Sequence, residues 1–168
     1  MIHVCSLARL HETVSDTGAR HIVTLMKDVH MVRRPNQIAA ERHLMLELDD
    51  IWVPLDGYRM PAEEHIADLI TFVRGWDRAA PLVVHCYAGI SRSTAGAFVT
   101  ACALNPARAE AAIAQALRRA SPTATPNARI VALADDMLGR RGRMVAAVNA
   151  LGRGLEASEG HPFRLDLE

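Results

Sequence analysis

The run from Pro81 to Thr94, PLVVHCYAGISRST, constrains this chain more than any other stretch. Leu82, Val83, Val84 and His85 read as a buried strand that stops abruptly at Cys86, and Arg92 opens an alanine-rich helical pattern. Between them Tyr87, Ala88, Gly89, Ile90 and Ser91 form a short loop with no carboxylate and one glycine able to take a positive φ angle. A loop of this kind, between the end of a strand and the start of a helix, can aim backbone N–H groups inward at an anion. The helix N-terminus adds positive potential.

The rest of the chain alternates strand and helix signals around that run. Ile2 to Leu7, His21 to Met26 and His43 to Leu48 read as strands, with a short helical segment near Ala8 to Ser15 and a turn at Asp16, Thr17 and Gly18. Pro35 and Asn36 open a short helix through Glu41, and Ile51 to Pro61, with two prolines and a glycine, reads as a loop. From Ala62 to Trp76, the spacing of Ile66, Leu69, Ile70 and Val73 predicts a helix. Pro61 stands at its favoured first-turn position, and Glu63 and Glu64 lie beside its positive end. Further helices are expected over Arg92 to Leu104, from Pro106 to about Ala120, from about Ala128 to Leu138 and over Met144 to Leu151; residues 151–168 read as a loosely ordered tail on a single domain. Repeated strand, crossover helix and strand predicts an α/β fold, with a mainly parallel central sheet of about four to five strands and helices on both faces. Ligands of such sheets bind beyond the carboxyl ends of the strands, where the Cys86 loop and the Asp49 to Tyr58 loop can face each other.

At 168 residues the chain suits one domain with a sizeable core. Its 19 basic and 19 acidic residues cancel and form no long run, so neither a nucleic acid nor an anionic membrane is the expected partner. No stretch approaches a membrane span, and the expected location is the cytoplasm. Three cysteines with no C-x-x-C pair argue against a disulfide scaffold or a zinc site. The eight histidines show no metal-ligand spacing, so no metal and no cofactor is expected. Cys5 and Cys102 read as packing residues.

His85-Cys86, five residues, then Arg92-Ser93 resembles the H-C-x5-R-[S/T] signature of the cysteine-dependent protein tyrosine phosphatase superfamily, and the compact size resembles its dual-specificity branch. The likeness extends to the flanking helices and to a Pro126-Asn127 pair opening a late helix, and so covers most of the chain to about Leu138. It implies that Cys86 is the nucleophile of a cysteinyl-phosphate mechanism, and that the amides of Tyr87 to Arg92 hold the phosphoryl oxygens. Arg92 then makes two parallel charge-assisted bonds to them, and Ser93 hydrogen-bonds the sulfur and helps it depart. It also implies that His85 orders the loop from behind and that Asn127 supports the loop or a hydrolytic water, although Asn127 suits a helix N-cap equally well. A helix N-terminus, inward amides and a guanidinium all favour the reactive thiolate. Rhodanese-like sulfur carriers and arsenate reductases also use a cysteine loop, but neither calls for this arrangement.

Such a reaction needs an acid to protonate the leaving alkoxide or phenoxide. Asp50 is favoured because it lies in the loop just after the strand HLMLEL, with the relation to the following helix that the resemblance implies for the family acid; Asp56, closer to Cys86 in sequence, and Asp49 are the alternatives. Trp52 and Tyr58 lie on the same loop and could flank a phosphoaryl ring or anchor the loop. The expected substrate is a phosphorylated protein or a small phosphomonoester, with oligomeric state left open. The rival readings are a phosphatase of a nonprotein substrate (a phosphoinositide, an inositol phosphate or an RNA 5′ end) and a catalytically idle phosphate-binding module.

Overall fold

The computed structural model describes residues 1–167. Its two central strands are those with the most continuous apolar runs: His21–Met26 (β2) and Leu82–Cys86 (β4) are buried along their whole length, the pattern of strands covered on both faces. Ile2–Ser6 (β1) and His43–Glu47 (β3) flank them in the order β3-β2-β4-β1, all parallel. Phe163–Leu165 (β5) completes the sheet by pairing antiparallel with β1. The register sets Ser6 opposite Cys86 and Met26 opposite Glu47, so the carboxyl ends of the parallel strands lie level along one edge.

The helix Leu10–Thr17 (α1), ended by Gly18 at φ 66°, packs on one face through Leu10 and Val14 against Cys5, Ile22 and Val83. Five helices cover the other face: Glu63–Gly75 (α2), Arg92–Leu104 (α3), Glu110–Ala120 (α4), Ala128–Met137 (α5) and Arg143–Leu151 (α6). Alternate strand residues Val4, Val23, Leu25 and Val84 enter this second core with Phe98, Ile66, Leu69 and Ile130, as the two-residue period of a strand requires. α3 is the central helix, buried from Ser93 to Cys102. Gly96 lets it approach the sheet closely, because a Cβ there would come within 3.1 Å of both Leu25 and Val84 side chains.

Four expectations change. Residues 35–41 form no α-helix: a turn closes on the Ile38 N–H to Pro35 carbonyl bond and a 3-10 turn spans Ala40–Arg42. α2 begins after Ala62, so Pro61 stands just outside it, and His65 Nδ1 accepts the Ala62 N–H at 3.0 Å. α4 begins at Glu110, beyond a turn in which the Arg108 N–H meets the Asn105 carbonyl. There the Glu110 carboxylate is buried against Arg140 at 2.9 Å and Arg143 at 3.1 Å. The largest change is the tail. After α6 the chain is an ordered arm. Leu155 N–H bonds the Pro122 carbonyl, Gly154 N–H bonds Thr125 Oγ1, and β5 brings Leu165 and Leu167 into the core.

Candidate active site

The loop after β4 is built from its carbonyls outward. The carbonyl of Tyr87 accepts from Leu7 N–H at 3.1 Å, that of Ala88 from Gly160 N–H at 2.8 Å, that of Ile90 from Thr125 N–H at 3.0 Å and that of Ser91 from Asn127 N–H at 3.3 Å. Thr94 Oγ1 adds bonds to the carbonyls of Ile90 and Ser91. In a trans peptide the carbonyl and the following N–H point opposite ways in one plane, and no peptide here is cis. Each outward carbonyl therefore turns the next N–H inward, which aims those of Ala88, Gly89, Ser91 and Arg92 toward the concave side. Gly89 makes the curvature possible. Its φ is 75°, and a Cβ there would lie 2.9 Å from the backbone of Cys5 and Ser6, so position 89 excludes a side chain on both counts.

Cys86 is at the floor of this concavity, 2% exposed. Its sulfur receives the Gly89 N–H at 3.3 Å and lies 3.1 Å from Ser93 Oγ. Arg92, the first residue of α3, donates from Nη1 to the Leu48 carbonyl at 3.1 Å, which ties the guanidinium to the end of β3. Its Nε is buried and has no hydrogen-bond partner among the described residues. A buried donor left in that state costs about 1–3 kcal/mol, and an anionic oxygen in the cradle would relieve it.

The three acid candidates separate clearly in space. Asp50 Oδ1 accepts from Ser91 Oγ at 2.7 Å and from Asn127 Nδ2 at 2.8 Å, so it is tied to the loop itself. Asp49 is buried and turned to its own loop: its Oδ2 takes the Arg59 N–H at 2.8 Å, and its N–H bonds the Arg59 carbonyl. Asp56 is exposed in a turn near Gly57. A cavity of about 300 Å³ is lined by Arg92, Asp49, Asp50, Lys27, Tyr58 and Tyr87, and neither Asp56 nor Trp52 borders it. Lys27 Nζ sits 5.0 Å from the Tyr58 ring centre. Asn127 Oδ1 caps α5 through the N–H groups of Arg129 and Ile130, and its Nδ2 donates to Asp50 Oδ1.

Behind the loop, His85 is wholly buried. Its Nε2 meets Thr24 Oγ1 at 2.6 Å, and the same hydroxyl meets His43 Nε2 at 2.8 Å. The hydroxyl has one proton, so one imidazole accepts it and the other donates. Burial lowers the pKa of His85 to about 3 and that of His43 to about 4, so both rings are neutral and hold the strand end in place. Burial has the opposite effect on Cys5 and Cys102, whose thiols are pushed up to about 12. No group of three or more His, Cys, Asp or Glu that could hold a metal ion occurs among the described residues. No helix among them is long and apolar enough to cross a membrane.

Sequence reasoning missed Thr24, His43 and the arm. The arm's signal was present in Gly154 and Gly160, where a Cβ would come within 2.6 Å of the Thr123 backbone and 2.9 Å of the Gly89 carbonyl oxygen, respectively.

Residues 4–107, more than half of the chain, match the family model described as "Polymorphic toxin system, DSP-PTPase phosphatase". Among solved structures the fold is similar to that of the PTP-2 phosphatase of Cydia pomonella, at 18% identity over 80% of this chain and 84% of that one, with a TM-score of 0.62. It is similar as well to the human tyrosine phosphatase-like serine/threonine/tyrosine-interacting protein, at 20% identity over 83% of this chain and 92% of that one, TM-score 0.62. Human DUSP28 shows the same likeness at 18% identity over 83% and 89%, TM-score 0.62. No curated protein matches the chain.

Proposed function

We propose that this chain, which belongs to the DSP-PTPase phosphatase family of polymorphic toxin systems, uses Cys86 as the nucleophile of its phosphatase reaction and Asp50 as the acid. The observation that carries this reading is the loop's hydrogen-bond pattern: carbonyls satisfied from outside, N–H groups turned toward a cysteine sulfur. A phosphoryl group entering that concavity meets amide donors and the Nε of Arg92, which stabilise the charge spread over its equatorial oxygens. Cys86 Sγ attacks phosphorus, the P–O bond to the leaving group breaks, and the departing oxygen takes the proton of Asp50. Both hydrogen bonds to Asp50 fall on Oδ1, so Oδ2 is the oxygen that carries the proton. Water then attacks the cysteinyl-phosphate, Asp50 accepts its proton, and Ser93 Oγ stabilises the departing thiolate from 3.1 Å. His85 and Thr24 hold the end of β4 without transferring a proton.

The substrate class is a phosphorylated protein side chain. Tyr87 and Tyr58 are 69% and 50% exposed at the cavity, an open rim that admits a residue borne on a polypeptide. p-Nitrophenyl phosphate is the first probe. Turnover should resist chelators, be inhibited by vanadate and vanish in Cys86→Ser while vanadate binding survives. Vanadate binding with no turnover of any phosphomonoester would leave a phosphate-binding module in place of the enzyme. A phosphopeptide and an inositol phosphate compared at equal concentration decide the substrate class.

A further inference from the structure

The arm passes directly behind the cradle and touches one peptide unit of it from outside. Gly160 N–H donates to the Ala88 carbonyl at 2.8 Å. The same unit carries the Gly89 N–H, which lies 3.3 Å from Cys86 Sγ. That unit is planar and trans, so the two bonds grip a single plate by opposite edges. With Gly89 in the left-handed region and free of a side chain, the backbone beside the plate turns more easily than at any other residue type. The plate therefore takes its orientation from what holds its outer edge.

We infer that Gly160 is a positioning residue for the nucleophile: by holding the Ala88 carbonyl, it keeps the Gly89 N–H aimed at the Cys86 sulfur. The arm is placed for this by several independent contacts. Glu159 Oε1 accepts from Ser6 Oγ at 2.5 Å, and Ser6 is the register partner of Cys86 across the β1–β4 pair. Downstream, β5 pairs with β1; upstream, Gly154 and Leu155 are tied to Thr125 and Pro122. The fit at Gly160 is close, since a Cβ would lie 2.9 Å from the Gly89 oxygen and 3.4 Å from Ile90 Cγ1. Even a methyl group must push the adjoining Gly89–Ile90 peptide unit, which hinges on the plate at the Gly89 Cα. These residues lie beyond the stretch, residues 4–107, that matches the family model. An N–H on sulfur favours thiolate over thiol; weakening it lowers the thiolate fraction and, with it, the rates of attack and of alkylation.

The inference rests on Cys86 as the nucleophile, and the test separates the two. In the full-length protein, Gly160→Ala and Glu159→Ala are compared with wild type by iodoacetamide alkylation of Cys86, followed by peptide mass at pH 6 and at pH 9, and by the pH profile of kcat/KM. Cys5 and Cys102, buried and with thiols raised to about 12, contribute little to the labelling. Loss of one hydrogen bond to the thiolate should slow alkylation by up to about fivefold, more at the lower pH than at the higher. The acidic limb of kcat/KM should move to higher pH by a matching amount. Glu159→Gln, which keeps an acceptor for Ser6, should behave as wild type. Wild-type alkylation profiles in a folded Gly160→Ala protein, or lower activity with an unmoved pH profile, overturn the inference. If Gly160→Ala does not fold, Glu159→Ala carries the test, and an unshifted profile there overturns it equally. A shifted alkylation profile in a protein that turns over no phosphomonoester would refute the phosphatase mechanism and leave the positioning role standing.

Discussion

Replacing Asp50 by asparagine isolates one proton from the rest of the site. Asparagine has the same shape and keeps an oxygen where Ser91 Oγ and Asn127 Nδ2 now donate to Oδ1 at 2.7 and 2.8 Å, so loop and cap should survive. What disappears is the proton at the other oxygen. General acid catalysis contributes about 10²–10⁴-fold, which corresponds to about 3–5 kcal/mol of barrier. That loss should appear in full on phenyl phosphate, whose phenolate is a poor leaving group, and be much smaller on p-nitrophenyl phosphate, whose anion is stable at neutral pH. Alanine at the same place should do further damage. Asn127 is 3% exposed, and without Asp50 its Nδ2 keeps only a 3.4 Å contact to the Ile51 carbonyl. An unmet donor at that depth costs about 1–3 kcal/mol, so Asp50→Ala should melt below Asp50→Asn in urea. The assay is phosphate release from both substrates at saturating and limiting concentration. An asparagine variant with equal losses on the two leaving groups, or full activity on phenyl phosphate, would refute the assignment. So would the same pattern arising from Asp56→Asn.

Three other outcomes can be measured. His43 and His85 have folded pKa values lowered to about 4 and about 3, so the unfolded chain takes up protons that the fold refuses. Stability should be full above about pH 6.5 and fall as pH drops, with a slope approaching about 2.7 kcal/mol per pH unit near pH 5; a flat urea-unfolding curve from pH 7 to 4 would contradict the buried neutral pair. Burial alone would raise the Glu110 carboxyl, but the bonds from Arg143 and the charge of Arg140 outweigh it and its pKa lies below the ordinary value. Glu110→Gln strands the buried Arg140 guanidinium and should destabilise the protein by about 3–5 kcal/mol, read as a lower urea midpoint; an unchanged midpoint would discount the pair. Ser93→Ala removes the hydroxyl 3.1 Å from the sulfur and should lower kcat about 10–100-fold while leaving a burst of p-nitrophenol. Slow turnover without a burst would place Ser93 in the first chemical step instead.

The parts of the fold legible from sequence were those whose signals are local. β2 and α3 occupy the expected residues because an unbroken apolar run and a small-residue helix announce themselves within their own length. The spacing from His85 to Ser93 similarly marked the loop before any geometry. Asp50 stood ahead of Asp49 and Asp56 only by its place between strand and helix, because the three share one loop and differ in what they face. Hydrogen bonds to Arg59 turn Asp49 inward, and Ser91 and Asn127 hold Asp50 at the cradle. These partners come from distant segments. The arm failed for the same reason. Its run from Gly152 to Gly160 has no helical or strand period, and its order comes from β1, Pro122 and Ala88. Glycines that read as freedom in a tail were there because the backbone had to come close.

The pairing of β5 with β1 joins segments far apart in sequence, with the whole Cys86 loop between them, and this makes the order of synthesis matter. A growing polypeptide begins to fold from its N-terminal part, so β1, β4, Cys86 and Arg92 can assemble while the arm is still unmade. During that interval the Ala88 carbonyl has no Gly160 to meet, and on the positioning role inferred above the Gly89 N–H is not yet held toward the Cys86 sulfur.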